Sequence, residues 1–234
     1  MMDIQILELL EGARYAAGLT AVIDVFRAFS LEAWLFARGA GQIFAVGSEE
    51  TARRMKSVNP DALLIGERGG KILPGFDYGN SPFQTADAPL AGRTVIHTTS
   101  AGTQGLAAAS GASGLLAASL VTASAAARYI SRQQPHQVSL VVMGLSGKSS
   151  TPEDLLCARY IKSLLEGTPF DLNRELAALR NTAEGRKFFN PQTQNVFPRE
   201  DFDLCTAVDR FSFVIVAEKT APGVFRMKRT DIPV

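Results

Sequence analysis

Thr20-Ala21-Val22-Ile23-Asp24-Val25, an apolar segment from Ser30 to Arg38 stopped by Gly39, and Gln42-Ile43-Phe44-Ala45-Val46 together decide the fold. The first and last pieces are short and rich in β-branched residues, so each reads as a strand. The piece between them is long enough for a helix, and glycine ends it. The alternation continues outward. Ser48 caps the helix that opens on Glu49, and Ala62-Leu63-Leu64-Ile65 is the next strand. Arg93 to Thr99 is a strand, Gln104 to Ala109 starts a helix, and Gly114 to Ala118 is a strand. Ala123 to Ser131 is a helix, and Gln137 to Met143 is a strand. Pro152 opens a helix running to about Glu166, with Ser150 or Thr151 as its cap. Helical pieces follow at Leu172–Arg180 and Ala183–Phe189. Phe211–Ala217 and Val224–Met227 then form an antiparallel pair across Pro222-Gly223. Continuous apolar strands separated by helices predict an α/β protein whose mostly parallel sheet is covered on both faces. The closing hairpin makes that sheet mixed. No long linker or repeat interrupts residues 1–234, which read as a single domain.

Composition excludes several function classes. The 234 residues are 46% hydrophobic, enough for one large core. Lys plus Arg number 24 and Asp plus Glu 23, a net charge of +1. No global field favours nucleic acid or an anionic membrane, so any anion site must be local. Cys157 and Cys205 are the two cysteines, which suits a reducing cytoplasm and gives no disulfide framework or thiolate zinc site. Met1-Met2-Asp3-Ile4-Gln5 lacks the basic-then-apolar pattern of a leader, and no apolar run approaches the ~18 residues that suggest a membrane span. A soluble, cytoplasmic protein is expected.

Four polar clusters fall at or just beyond the ends of these strands, where α/β proteins place their sites. Asp24 closes an apolar strand, where an ionised carboxylate is costly unless paired or metal-bound, and Arg27 follows at the turn. Asp24 therefore reads as a metal ligand, a nucleophile or a helix cap. A mechanism with a second aspartate two positions on as general acid is disfavoured, because Phe26 stands there. The second cluster is Gly66-Glu67-Arg68-Gly69-Gly70-Lys71 through Asp77 and Asn80-Ser81-Pro82. Its carboxylates suit a hard cation, while Arg68, Lys71, Asn80, Ser81 and backbone amides suit an anion. The third is Thr98-Thr99-Ser100-Ala101-Gly102-Thr103, whose hydroxyls and amides at a helix start suggest an anion cradle. His97 before it reads as a satisfied sheet residue, and His136 as a surface one. The fourth is Glu153-Asp154 in the first turn of a helix, a dipole-favoured pair or a metal site. Cys157 one turn on has apolar neighbours and reads as core, not as a nucleophile. No Walker A loop, Gly-x-Ser-x-Gly elbow, Cys-x-x-Cys pair, His-Glu-x-x-His or Cys-x5-Arg phosphatase loop is present.

Taken in order, these clusters resemble one family. Val22-Ile23-Asp24-Val25-Phe26-Arg27-Ala28, Gly66-Glu67-Arg68-Gly69-Gly70 with Pro74-Gly75-Phe76-Asp77-Tyr78-Gly79-Asn80-Ser81-Pro82, Thr98 to Thr103, and Glu153-Asp154-Leu155-Leu156-Cys157-Ala158 are similar to ComB-type 2-phosphosulfolactate phosphatases. The likeness runs from about Thr20 to Ala217. It implies a three-layer α/β/α fold and Mg²⁺-dependent hydrolysis of a phosphate monoester to sulfolactate, on a route associated with coenzyme M. Two departures stand out. The family's Thr-Thr-Asn-Gly-Thr is lengthened here to Thr99-Ser100-Ala101-Gly102-Thr103 after Thr98, and Thr151-Pro152 stands where Ala-Leu is common. The lengthened loop leaves open a different acid on the substrate.

The resemblance implies a small, polyanionic phosphate ester as substrate. Asp24, Glu67 and Asp154 are the catalytic candidates. Arg27, Arg68, Asn80, Ser81, Thr98, Thr99, Ser100 and Thr103 are the substrate-binding candidates, with Lys71 as a further source of charge. Asp24, Glu67, Asp77, Glu153 and Asp154 are the candidates for Mg²⁺. Direct attack by water and attack by Asp24 both stay open. So do two other readings: a phosphatase of this fold for another 2-phospho-hydroxyacid, and a non-catalytic binder of phosphorylated acids. Phe211, Phe213 and Phe225 suit a homodimer interface as well as a core.

Overall fold

The computed structural model describes residues 2–233. In chain order the strands are β1 Asp3–Glu8, β2 Gly18–Ile23, β3 Gln42–Val46, β4 Leu63–Arg68, β5 Lys71–Ile72, β6 Thr94–Thr98, β7 Ala112–Ala118, β8 Gln137–Val142, β9 Phe213–Ala221 and β10 Val224–Asp231. The helices are α1 Leu9–Ala13, α2 Ala28–Ala37, α3 Glu49–Val58, α4 Gly102–Ala108, α5 Ala123–Gln133, α6 Pro152–Glu166, α7 Leu172–Leu179, α8 Ala183–Arg186 and α9 Arg199–Thr206. All ten strands join one sheet in the order β1-β8-β2-β7-β9-β10-β3-β6-β4-β5. Five of its pairings are parallel and four antiparallel, so the expected mixed, mostly parallel α/β sheet is present.

The closing hairpin occupies an unexpected place. β9 and β10 sit in the middle of the sheet, between β7 and β3. Three successive antiparallel steps (β7 to β9, β9 to β10, β10 to β3) make the two parallel halves run in opposite directions. Their chain ends meet all the same, because the sheet curls around α2. This helix buries Phe29, Leu31, Ala33, Leu35 and Phe36, along with Ser30 and Glu32, so most of its circumference is enclosed. Its residues share one core with Val22 of β2, Ile43 of β3, Ile65 of β4, Val95 of β6, Val141 of β8, Ile215 of β9 and Phe225 of β10. The opposite sheet face carries a second cluster, in which Ile23, Leu140 and Val214 meet Ile130 of α5 and Leu156 and Ile161 of α6. A third places Ala52 of α3 over Leu64 and Ile96. Helices thus lie on both faces, in three layers.

Local chemistry sets the element ends. The Ser48 hydroxyl accepts from Thr51 N at 3.1 Å, capping α3 as expected. Pro152 stands at the start of α6, and Thr151 precedes it without a side-chain cap bond. Gly18 opens β2 at φ +69°, where a Cβ would lie 2.1 Å from the Gln137 carbonyl oxygen. β1 and α9 were not anticipated: β1 mixes polar and apolar residues at a sheet edge, and α9 is a short acidic segment. Among the described residues, no helix is long and apolar enough to cross a membrane.

The curled sheet makes α2 the most demanding place to lose volume. Leu31→Ala should lower stability by about 2–5 kcal/mol, whereas Val58→Ala, on the 81% exposed end of α3, should stay within about 0.5 kcal/mol. Urea unfolding followed by circular dichroism measures both; equal midpoints would contradict the enclosed position of α2.

Candidate active site

A cleft of about 300 Å³ opens where the two halves of the sheet meet. Asp24 follows β2, Glu67 lies near the end of β4, Ser100 follows β6, Gly144 follows β8, and Glu153 and Asp154 begin α6; all line it. Four strands from opposite halves therefore supply one site. The Phe26–Arg27 peptide at its wall is cis.

Three carboxylates are held in the same way, with each oxygen accepting one backbone amide. Asp154 Oδ1 accepts from Val25 N at 2.7 Å and Oδ2 from Gly144 N at 2.8 Å. Asp24 Oδ1 accepts from Ala28 N at 3.1 Å and Oδ2 from Gly102 N at 2.9 Å. Glu67 Oε1 accepts from Ser100 N at 2.7 Å and Oε2 from Gly70 N at 2.7 Å. These bonds tie together the loops after β2, β4, β6 and β8. They leave each oxygen a second lone pair for a ligand.

Burial and mutual repulsion oppose ionisation of this group. Asp24 is raised to about 7, mainly by burial and then by Asp154, although the Ala28 and Gly102 amides pull it down. Asp154 is raised to about 8 by burial and by adjacent Glu153, against the Val25 and Gly144 amides. Burial raises Glu153 to about 7, with Glu184 adding to it. Three carboxylates that resist charge in one cleft mark a place where positive charge is wanted.

The donors fit a hard cation. They are all carboxylate oxygens, and Glu153 Oε2 is buried with no hydrogen-bond partner. Glu153 and Asp154 are the residues that would hold Mg²⁺, with Asp24 beside Asp154. Among the described residues, however, no three acidic, histidine or cysteine side chains already converge as a metal cage.

Several candidates stand elsewhere. Asp77 accepts from Leu64 N at 2.7 Å and pairs with Lys56 at 3.8 Å, away from the cleft. Arg68 is exposed, donating to the Glu67 carbonyl at 2.6 Å and to Thr98 Oγ1 at 3.3 Å. Lys71 lines a neighbouring cavity rather than this one. Ser81 donates to Asp201 Oδ1 at 2.9 Å. The expected anion cradle is turned inward: Thr103 Oγ1 and Thr99 bond one another, and the Ser100 and Gly102 amides serve Glu67 and Asp24. Arg27 lines the cleft, yet its guanidinium donates to Asp201 Oδ2 at 2.7 Å, to Val196 O at 2.8 Å and to Gly70 O at 3.3 Å. Removing one partner of that buried ion pair costs about 3–5 kcal/mol, so Arg27 holds the wall together. Asn80 does reach the cleft, oriented by His97, whose Nε2 lies 3.1 Å from Asn80 Oδ1 and whose Nδ1 lies 2.8 Å from buried Glu32. His97 is thus satisfied in the core, and Cys157 is likewise buried, its thiol pushed up by burial. Lys187, Glu184 and Phe197 complete the lining and were not anticipated. Glu184 lies in α8, Lys187 directly after it and Phe197 just before α9, and nothing in the sequence marks them as site residues.

The raised carboxylates give a signed expectation. Between the ordinary carboxylate range near 4 and about 7–8, the folded state holds more protons than the unfolded, so stability falls as pH rises through that window. In EDTA, the urea midpoint should be lower at high pH than at low pH within this window, and Asp154→Asn should flatten the slope. A midpoint that rises with pH would contradict the assigned carboxylate environment.

Comparison with known proteins gives the family. The family profile described as 2-phosphosulpholactate phosphatase matches residues 4–220. A protein from Bacillus subtilis named probable 2-phosphosulfolactate phosphatase is 30% identical over 191 residues, covering 81% of this chain and 82% of its own. One of the same name from a Synechococcus species is 31% identical over 233 residues, covering 90% and 93%. Another from Caldicellulosiruptor saccharolyticus reaches 38% over 147 residues, but spans only 61% of this chain and 60% of that protein. The chain belongs to the 2-phosphosulpholactate phosphatase family, a family of phosphoric monoester hydrolases.

Proposed function

We propose that this protein hydrolyses 2-phosphosulfolactate to sulfolactate and phosphate with Mg²⁺ as cofactor, on the route associated with coenzyme M. The observation that carries this reading is the set of three amide-locked carboxylates, Asp24, Glu67 and Asp154, lining one cleft with Glu153. A bound Mg²⁺ would polarise the phosphoryl group and neutralise its developing charge. The chain's own residues orient the ester. The Asn80 side-chain amide faces the cleft with its oxygen already occupied by His97, which leaves its NH₂ to donate to a substrate oxygen. The amides that grip Asp24 and Asp154 fix their reactive oxygens before substrate arrives, which lowers the reorganisation that catalysis needs. A carboxylate whose proton affinity lies near neutrality is matched to taking a proton from an attacking water. Asp24 is that base in this reading, with Asp154 and Glu153 facing the cation. The lengthened Thr99–Thr103 loop touches the site through Ser100, whose amide holds Glu67, so its length adjusts a carboxylate rather than an anion cradle.

Phosphate release from 2-phosphosulfolactate, 2-phospholactate and 2-phosphoglycolate, with Mg²⁺ and with EDTA, tests the reading. Metal-dependent release favouring the sulfonate is expected, and Asp154→Asn should lower kcat by about 100-fold or more. Preference for another acid keeps the hydrolase and replaces its substrate. Tight binding without release from any of the three would indicate a binding protein.

A further inference from the structure

The cleft has an excess of acid that its cations do not match. Asp24, Glu67, Glu153, Asp154 and Glu184 line it, against Arg27 and Lys187. Arg27 is 3% exposed and its guanidinium serves Asp201, Val196 and Gly70, so it has little left to offer a ligand. Lys187 is placed differently. Its ammonium has three donors, and Glu184 is the one hydrogen-bond partner it has among the described residues. The pair is partly buried, at 21% and 18% exposure. Lys187 Nζ lies 4.8 Å from the centre of the Phe197 ring and 5.7 Å from that of Phe188, while the Arg27 guanidinium lies 4.9 Å from the same Phe197 ring. The aromatic rings confine the lysine stem beside the cleft, and Glu184 holds its charge there until something replaces it.

The cleft also has two ends. Asp24, Glu67 and the loop amides lie where the strands of the two halves meet; Glu184 comes from α8 and Lys187 from the residue after it. Glu153, adjacent to Asp154 in α6, is close enough to feel the charges of Glu184 and Lys187, and Asp154 is close enough to act on Asp24. A phosphoryl group at the strand ends would leave the rest of a short phospho-acid to reach toward Lys187. An ammonium with three rotatable donors suits an anion with three equivalent oxygens in a tetrahedral group, whereas a planar carboxylate is better matched by a guanidinium fork.

Building on the hydrolase reading, we propose that Lys187 is the specificity residue of this site: it leaves Glu184 and binds the sulfonate, one of the two acidic groups of the substrate that are not transferred. In this exchange the sulfonate takes the place of the Glu184 carboxylate at the ammonium, and Glu184 gives up its partner.

The test compares Lys187→Met and Lys187→Arg with the parent protein on 2-phosphosulfolactate and 2-phospholactate, which lacks the sulfonate, and measures sulfolactate binding by calorimetry at low salt. Thermal unfolding checks that the variants are folded. The ratio of kcat/KM for the two substrates should fall about 10-fold or more in Lys187→Met, chiefly through KM, with partial recovery in Lys187→Arg. Sulfolactate affinity should fall by a similar factor. An unchanged ratio, or equal loss for both substrates, would overturn the assignment. If the parent protein hydrolyses neither substrate, the hydrolase reading falls separately and calorimetry decides: sulfolactate binding that depends on Lys187 keeps the assignment, and absent or Lys187-independent binding overturns it.

Discussion

The bonds between buried carboxylates and loop amides are the constraint on which the rest of the site depends. Six amides, from Val25, Ala28, Gly70, Ser100, Gly102 and Gly144, meet six oxygens of Asp24, Glu67 and Asp154. Each bond satisfies a backbone group that would otherwise be stranded at a strand or helix end. One of them, from Gly102 N to Asp24 Oδ2, stitches loops from opposite halves of the sheet. Loop geometry and acid–base chemistry are therefore one feature: neutralising a carboxylate by mutation also loosens the loops that define the cleft.

That arrangement is possible only because of the topology. The hairpin β9–β10 joins two oppositely directed parallel halves, and α2 fills the inside of the curl. α2 in turn begins at Ala28, whose amide grips Asp24, and carries Glu32, which supports the His97–Asn80 contact at the cleft wall. One helix thus links the core to the site along its whole length. The polar groups it buries are tolerated because each makes at least one specific bond, with Glu32 Oε2 the exception.

Much of the fold was legible from Thr20 to Glu166, since uninterrupted apolar runs and well-placed caps fix buried strands and their helices. β1 was not, because an edge strand need not be apolar on both faces. The central place of β9 and β10 was not either, because pairing partners distant in sequence leave no local mark. At the site, Asp24, Glu67, Glu153 and Asp154 were legible because acid interrupts or follows apolar sequence there. Asp77 shared that signal but serves a backbone amide of β4. Arg27 looked like a substrate clamp only while Asp201, far along the chain, was unseen. The Thr98–Thr103 segment has the composition of an anion cradle, and its amides do bind anions, those of Asp24 and Glu67. Lys187 lies in the segment Ala183–Phe189 that reads as helical, but nothing local marks it as a site residue, and only three-dimensional proximity to Phe197 and Glu184 sets it apart.

The central claim is that burial and mutual repulsion oppose ionisation of Asp24, Glu153 and Asp154, so that a cation bound beside them would displace protons. Calorimetry of Mg²⁺ binding at pH 7 in buffers of different ionisation enthalpy tests it most directly, because the slope of apparent enthalpy counts protons released. Net proton release on binding, lost in Asp154→Asn, is the expected result. Binding without proton release would mean that the carboxylates are already ionised in the free protein, and the account of the cleft given above would be wrong.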